Sequence, residues 1–430
     1  MLSKEIFSSS LQNSFKVGEN DFTRTRKQSF STTLLFMMNF LTKSLSIEIE
    51  NFVSIIKRDC GITGFKSFTK SAFVQYRKKI QPEVFKKLSD ILIDEFYTDN
   101  ELGIKLWNGF RILAIDGSSV TLPFTKKLKK IYGLTKNQTH IGVVQARASV
   151  LYDVLNKYVL DSQLTPKSIG ERALGLLHLV KCKVGDLIIY DRGYPSYDFI
   201  NTHCSKNIDY LMRVKVSFSG VTKTFIASNK RSQIVEIYPG KNADISQKKY
   251  GRNTPIKVRL LRVDLPCGET ELLITSLLDS KKHPYKIFKK LYFKRWGVET
   301  FYDELKNKLK VEYFSGYSNQ SILQDFNAAI LISNVQTLIV SDLEDEIKEL
   351  TKNRKLTYKV NTNLSYGFLK DKIITLFFSN TEMEDIVIQL KTLFKQELVP
   401  IRPNRSNKRN IGKYRRRERP KVTKNQRDTI

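Results

Sequence analysis

Apolar positions recur at helical spacing through the first hundred residues. Ala72, Phe73, Tyr76 and Ile80 follow i, i+1, i+4, i+8, and Val84, Phe85, Leu88, Ile91 and Leu92 repeat the theme after Pro82, a residue suited to a first helical turn. Near residue 105 the pattern changes. Residues 111–116 form a short apolar run that delivers Asp116 and breaks at Gly117, which reads as a strand ending in a carboxylate. Residues 140–150 and 155–164 read as two more strands, joined by a turn near Tyr152 and Asp153 into an antiparallel meander, and 169–181 as a helix. Residues 185–191 repeat the first device with Asp191 at the end, Pro195 opens another helix, and 210–218 read as a fifth strand.

The next stretch, about 219–280, alternates valine, leucine and isoleucine with polar residues at 233–237, 256–263 and 271–277, and reads as mostly β. A helix over 291–306 follows, and residues 326–343 form a strongly apolar helix expected to cover the sheet. The order strand, strand, strand, helix, strand, helix, strand is that of ribonuclease H with an insertion. The predicted fold class is therefore α/β: a ribonuclease H-like catalytic core with a mainly β insertion between the second Asp and the Glu, preceded by a helical N-terminal domain. The expected boundaries are 1–105 for the helical domain, 106–345 for the core with its insertion, 346–400 for a helical C-terminal region and 401–430 for a basic flexible tail.

The 291–306 segment carries the densest chemistry. Tyr292, Arg295, Glu299 and Lys306 stand at offsets 0, 3, 7 and 14, which on one continuous helix fall near 0°, 300°, 340° and 320°. Val298, Phe301, Leu305 and Leu309 project to the other side, leaving a polar stripe of one carboxylate, two cations and a phenol. A solvated face of an amphipathic helix has the same pattern, so the rest of the chain must decide between the two readings.

Composition favours a polyanionic partner. The 430 residues hold 73 Lys and Arg against 43 Asp and Glu, a formal charge of +30, while 41% hydrophobic content is enough for a sizeable core. No run of 18 or more apolar residues exists, so no membrane association is expected. Cys60, Cys182, Cys204 and Cys267 lack paired spacing and fit reduced thiols in a cytoplasmic protein, and His140, His178, His203 and His283 share no ligand spacing. Lys70, Arg77, Lys78 and Lys79 give the first N-terminal helix a basic face, so residues 45–100 fit a small DNA-binding unit or equally a plain helical subdomain. Arg415, Arg416 and Arg417 lie in a basic tail that adds sequence-independent affinity for DNA or simply solubility.

Two strand-end aspartates and a helical glutamate are what phosphoryl transfer without a covalent intermediate requires. Two divalent cations about 3.5–4 Å apart activate the attacking oxygen and stabilise the leaving one, and hard cations such as magnesium take carboxylate oxygens. Asp116, Asp191 and Glu299 are placed to be such ligands.

At these residues the chain resembles a known family. Tyr292, Arg295, Glu299 and Lys306 match, at every interval, the Y-x2-R-x3-E-x6-K signature of bacterial insertion-sequence transposases of the IS-four type. Ile115-Asp116-Gly117-Ser118 resembles the family's first aspartate motif, Asp191-Arg192-Gly193-Tyr194 its second, and residues 309–316 the segment after its third. The resemblance spans about 50–340. It implies metal-dependent cleavage at the ends of a mobile element and strand transfer into target DNA. Asp116, Asp191 and Glu299 would hold two magnesium ions, with manganese able to substitute. Arg295 and Lys306 would grip phosphates near the cut, and Tyr292 the terminal backbone. The implied partners are double-stranded DNA, as terminal inverted repeats and target, and a second copy of the chain in the DNA complex, on the bacterial nucleoid. Some members stack a flipped base on a tryptophan of the insertion, but the only tryptophans here, Trp107 and Trp296, lie outside 219–280, so a hairpin intermediate is not implied; Phe225 or Tyr238 could stack instead, and Trp296 is expected to pack beneath its helix. Other readings that keep these residues in view are an inactive or domesticated DNA-binding descendant, and a ribonuclease H-fold nuclease that cuts without joining.

Overall fold

The computed structural model describes residues 2–24, 27–39, 41–99, 103–136, 142–240, 250–264, 269–378 and 383–402. His140, Cys267 and the tail arginines Arg415, Arg416 and Arg417 fall outside the described residues. The chain divides into two compact units, one from 1–101, 120–146 and 303–430, the other from 102–119 and 147–302. The helices before residue 105 are thus not a unit of their own, because they pack with helices from the C-terminal third.

The first unit is mainly helical. Lys70–Arg77 and Glu83–Asp99 appear where the apolar spacing places them, the first capped by Thr69, whose hydroxyl accepts from Ala72 N at 3.1 Å, the second starting just after Pro82. Asn319–Ser341 has no single apolar face, because it is buried on most sides, and it starts at a capping box between Ser318 and Ser321. Expected as a cover for the sheet, this helix belongs instead to the helical unit, where it lies along Glu83–Asp99 and Asn334 donates to Ser89 Oγ at 2.8 Å. Among the described residues no single helix is long and apolar enough to cross a membrane.

The second unit is built on the sheet. Its strands are β1 (Arg111–Thr121), β2 (Gln145–Asp153), β3 (Val159–Pro166), β4 (Asp186–Tyr190), β5 (Asp209–Val214), β6 (Ser232–Ile237), β7 (Ile256–Asp264) and β8 (Thr270–Thr275), in the order β3-β2-β1-β4-β5-β8-β7-β6. β4 runs parallel to both β1 and β5 and all five of its residues are buried, which is why it reads as an unbroken apolar run. The stretch after β5 does not fold as a separate β module. It contributes the short helix Gly220–Ala227 and three antiparallel strands that continue the same sheet outward from β5.

Register matters most at β1 and β4. Arg111 pairs with Asp186 and Ala114 with Ile189, and Arg111 donates from Nε and Nη2 to the two carboxylate oxygens of Asp186, both at 2.8 Å, in a buried fork. Lys183 N also donates to Asp186 at 2.8 Å, so the buried carboxylate is well satisfied. Continued by two residues, this register sets Asp116 level with Asp191, on neighbouring strands roughly 4.8 Å apart. Strand β1 itself runs on to Thr121, so Asp116 lies within the strand, two residues past its pairing with β4, rather than at the strand's end.

Candidate active site

Asp116 leaves the paired part of β1, and its Oδ1 accepts from Gly117 N at 2.8 Å, which fixes the carboxylate. Asp191 directly follows β4 and begins a turn in which Tyr194 N donates back to Asp191 O at 3.3 Å. Glu299 comes from the helix Trp296–Asp303, which is tied to the sheet through Tyr302. The buried Tyr302 hydroxyl lies 2.9 Å from Asp116 O and 3.0 Å from Ala148 O, so the turn after Glu299 is held on β1 and β2. Stacking of Phe301 on Tyr152 at 5.2 Å and the approach of Gly297 to Val154, where an added Cβ would lie 3.5 Å away, hold the rest of that helix.

The predicted stripe is not one helix. Ile287–Phe293 ends, Lys294 and Arg295 form tight i to i−3 turns, Trp296–Asp303 follows, and Glu304–Lys308 is π-helical. Three of the four residues still converge. Arg295 donates to Glu299 Oε1 at 2.6 Å and lies 3.4 Å from Asp116 Oδ2, while its guanidinium carbon stands 5.9 Å from the Tyr292 ring centre and 5.6 Å from that of Trp296. Lys306 lies in the π-helical turn, where the 100° step no longer applies, and belongs to the other compact unit. Burial lowers its pKa, with Glu312 opposing the shift.

Tyr292 is largely a core residue. Its ring packs with Leu291, Phe288 and Leu211, and burial raises the pKa of its phenol, so it stays neutral. Its hydroxyl and Arg295 Nε are buried without a hydrogen-bond partner among the described residues, an arrangement that suits groups facing a polar ligand. Trp296, expected beneath its helix, is 45% exposed.

The electrostatics join the acids. Burial lifts the Asp116 pKa to about 6; the Gly117 N–H and Arg295 pull it down, and Glu299 and Asp191 push it up. Burial likewise disfavours the Arg295 charge, but Tyr292, Glu299 and Asp116 outweigh it and hold the pKa above its ordinary value. Three carboxylates sharing one region suit a hard divalent cation in charge and in donor type. As placed, no three Asp, Glu, His or Cys side chains among the described residues form a metal-holding group. The Arg295 guanidinium provides the positive charge between Asp116 and Glu299.

Sequence reasoning missed a fourth carboxylate. Glu171 opens the helix Glu171–His178, and a Cβ added at Gly117 would meet its Oε1 at 3.4 Å, while one added at Gly193 would meet its Oε2 at 3.4 Å. Gly117, one residue after Asp116, and Gly193, two residues after Asp191, therefore face the same side chain. Arg147 stands 3.8 Å from Glu171, and Arg172 Nε donates to Gly193 O at 3.0 Å, pinning the Asp191 turn to this helix. Gly175 lets the helix approach, since an added Cβ would come within 3.2 Å of both Phe199 and Tyr194. At the helix end His178 bridges the partly exposed Asp161 at 2.7 Å and the fully buried Ser149 at 3.0 Å, so its role is structural. Capping residues in the sequence do not reveal Glu171; only the helix packing does.

The N-terminal cations divide. Lys70 and Lys78 are exposed, as a phosphate contact requires. Arg77 is 3% exposed, and its guanidinium donates to Gln324 Oε1 at 2.9 Å, Asp325 Oδ1 at 2.8 Å and Ser321 O at 3.2 Å. It joins two helices rather than presenting charge, which corrects the expectation of a DNA contact there.

The model of the transposase DDE domain family matches residues 107–335. No curated protein sequence matches the chain. Among solved structures, the cryo-EM structure of the piggyBac transposase synaptic complex with hairpin DNA aligns with a TM-score of 0.43 at 9% identity, over 94% of this chain and 86% of that one.

Proposed function

We propose, of a chain that belongs to the transposase DDE-domain family, that it cleaves DNA at the ends of a mobile element and joins the released 3′ end to target DNA, with Asp116, Asp191 and Glu299 as the catalytic acids. What supports this reading is the contact of Arg295 with Asp116 and Glu299 at 3.4 and 2.6 Å, together with the β1–β4 register, which, extended two residues past Ala114 and Ile189, sets Asp191 beside Asp116. The β3-β2-β1-β4-β5 order supports a ribonuclease H-like core, and the intervals between Tyr292, Arg295, Glu299 and Lys306 support the IS-four type.

Divalent magnesium or manganese would be held by Asp116, Asp191 and Glu299, and when bound would supply Lewis acidity and a deprotonated water or 3′-hydroxyl as nucleophile. The residues of the chain do the rest. Arg295, unable to lose its proton, offers a planar fork to a phosphate and orients Glu299 beforehand. Tyr302 keeps the glutamate helix in place over Asp116. Buried, neutral Tyr292 presents a hydroxyl that can only hydrogen-bond to a backbone oxygen, never carry charge. Two element ends held together call for a second copy of the chain in the DNA complex.

A strand-transfer assay tests the reading. Full-length protein with labelled element ends and magnesium should give joined product, and Glu299→Gln should abolish both cleavage and joining. Cleavage without joining would favour a nuclease, and full cleavage by the Glu299→Gln protein would overturn the assignment of the acids.

A further inference from the structure

From Gly117 to Tyr152 the chain contains no acidic residue, yet it carries Lys126, Lys127, Lys129, Lys130, Lys136 and Arg147. Four of these lysines lie on one short helix, Lys126–Tyr132, ten residues after Asp116. At about 100° per residue they cover a single arc of roughly 160°, opposite Leu128 and Tyr132. Both apolar residues are buried, Tyr132 Oη bonds Asn319 Oδ1 at 2.8 Å, and Thr125 caps the first turn. All four lysines are exposed. Phe124, 65% exposed, precedes the helix, and Ile131, 45% exposed, lies within it.

Two further observations bear on these lysines. Some lysines elsewhere are paired with acids, as Lys79 is with Asp21 and Lys395 with Glu346, and among the described residues none of these four has an ion pair. The local electrostatics also oppose the helix. Lys129 and Lys130 suit its last turn, but Lys126 and Lys127 occupy its positive N-terminal end, and Lys126 with Lys129 and Lys130, and Lys127 with Lys130, are like-charge neighbours at i+3 and i+4. A face that its own helix disfavours is one that an outside polyanion stabilises.

We propose that the lysine face of Lys126–Tyr132 is a docking surface for the phosphate backbone of duplex DNA, read without regard to sequence. The proposal rests on the transposase reading and extends it to a surface outside the acidic site. An ammonium on a flexible stem makes point contacts to phosphates, so the face would position DNA rather than select a sequence.

The test is fluorescence anisotropy of the full chain with a random-sequence duplex over a range of salt concentrations. A variant with Lys126, Lys127, Lys129 and Lys130 all changed to Gln should bind every duplex more weakly, and its log K against log salt slope should be shallower by about 3–4, at about 0.9 per phosphate contact. The corresponding four-arginine variant should keep the wild-type slope, and both should keep the wild-type melting temperature. An unchanged slope in the glutamine variant of a protein that binds duplex DNA overturns the lysine face alone. Wild-type protein that binds phosphatidylserine vesicles but no duplex overturns both this proposal and the transposase reading.

Discussion

Arg111 grips Asp186 through two 2.8 Å hydrogen bonds at the start of β1 and β4, and the register so fixed, continued along both strands, sets Asp116 level with Asp191 five residues further on. The pair is buried, with side-chain exposures of 10% and 1%. Arg111→Ala leaves an uncompensated buried carboxylate and is expected to lower unfolding free energy by about 3–5 kcal/mol, whereas the Arg111→Met, Asp186→Leu double variant should recover most of it. Urea unfolding of the three proteins measures this. A loss below about 1 kcal/mol in Arg111→Ala would mean that the fork does not hold the register.

Asp116 titrates high because it is buried beside other carboxylates, so its ionisation costs stability in the metal-free protein. Its folded pKa of about 6 lies above the ordinary value of 3.8, and the folded state therefore binds the extra proton between those pH values. The cost is absent below pH 3.8, grows as pH rises, and is complete above about 6, at an upper bound on the order of 3 kcal/mol. Asp116→Asn should thus raise the melting temperature of metal-free protein at pH 7 and have little effect at pH 4. Equal effects at both pH values would contradict the burial argument.

Arg295 bridges two of the acids with a planar fork that lysine cannot reproduce. Arg295→Lys is expected to leave folding intact and reduce end cleavage about 100-fold, the scale of a lost transition-state contact. Single-turnover cleavage of a labelled duplex checks it; wild-type rates in the lysine variant would reduce Arg295 to a structural pair.

Glu171 faces the glycines after both aspartates and is held by Arg147. Glu171→Ala should leave the melting temperature within about 2 °C, since the side chain is 40% exposed, and yet lower cleavage at least tenfold by loosening the two turns. The conservative Glu171→Gln variant should retain more activity than the alanine. Unchanged cleavage in Glu171→Ala would remove Glu171 from the site.

Divalent metal should stabilise the chain only while its acids are intact. Magnesium or manganese is expected to raise the wild-type melting temperature and to have no such effect on a Glu299→Gln, Asp191→Asn variant, and a chelator should stop cleavage. Equal stabilisation of both proteins would place the binding elsewhere.

By itself the sequence determined the local devices: apolar strands that deliver Asp116 and Asp191, the apolar spacing of Lys70–Arg77 and Glu83–Asp99, and the intervals that carry the family resemblance. These are short-range properties, fixed by side-chain periodicity and by the glycines that end a run. Tertiary structure decided what depends on packing partners. The stripe from Tyr292 to Lys306 broke because turns at Lys294 and Arg295 and a π-helical segment interrupt a wheel that assumes constant rotation. Arg77 went inward because Ser321, Gln324 and Asp325, more than 240 residues away, offer it acceptors. Strands β6, β7 and β8 joined the main sheet because the edge of β5 was open to an antiparallel partner, and an edge preference is not written in the alternation of the strands that satisfy it. Glu171 reached the site by the same route, through the seating of a whole helix at Gly175 that no spacing within its own segment encodes.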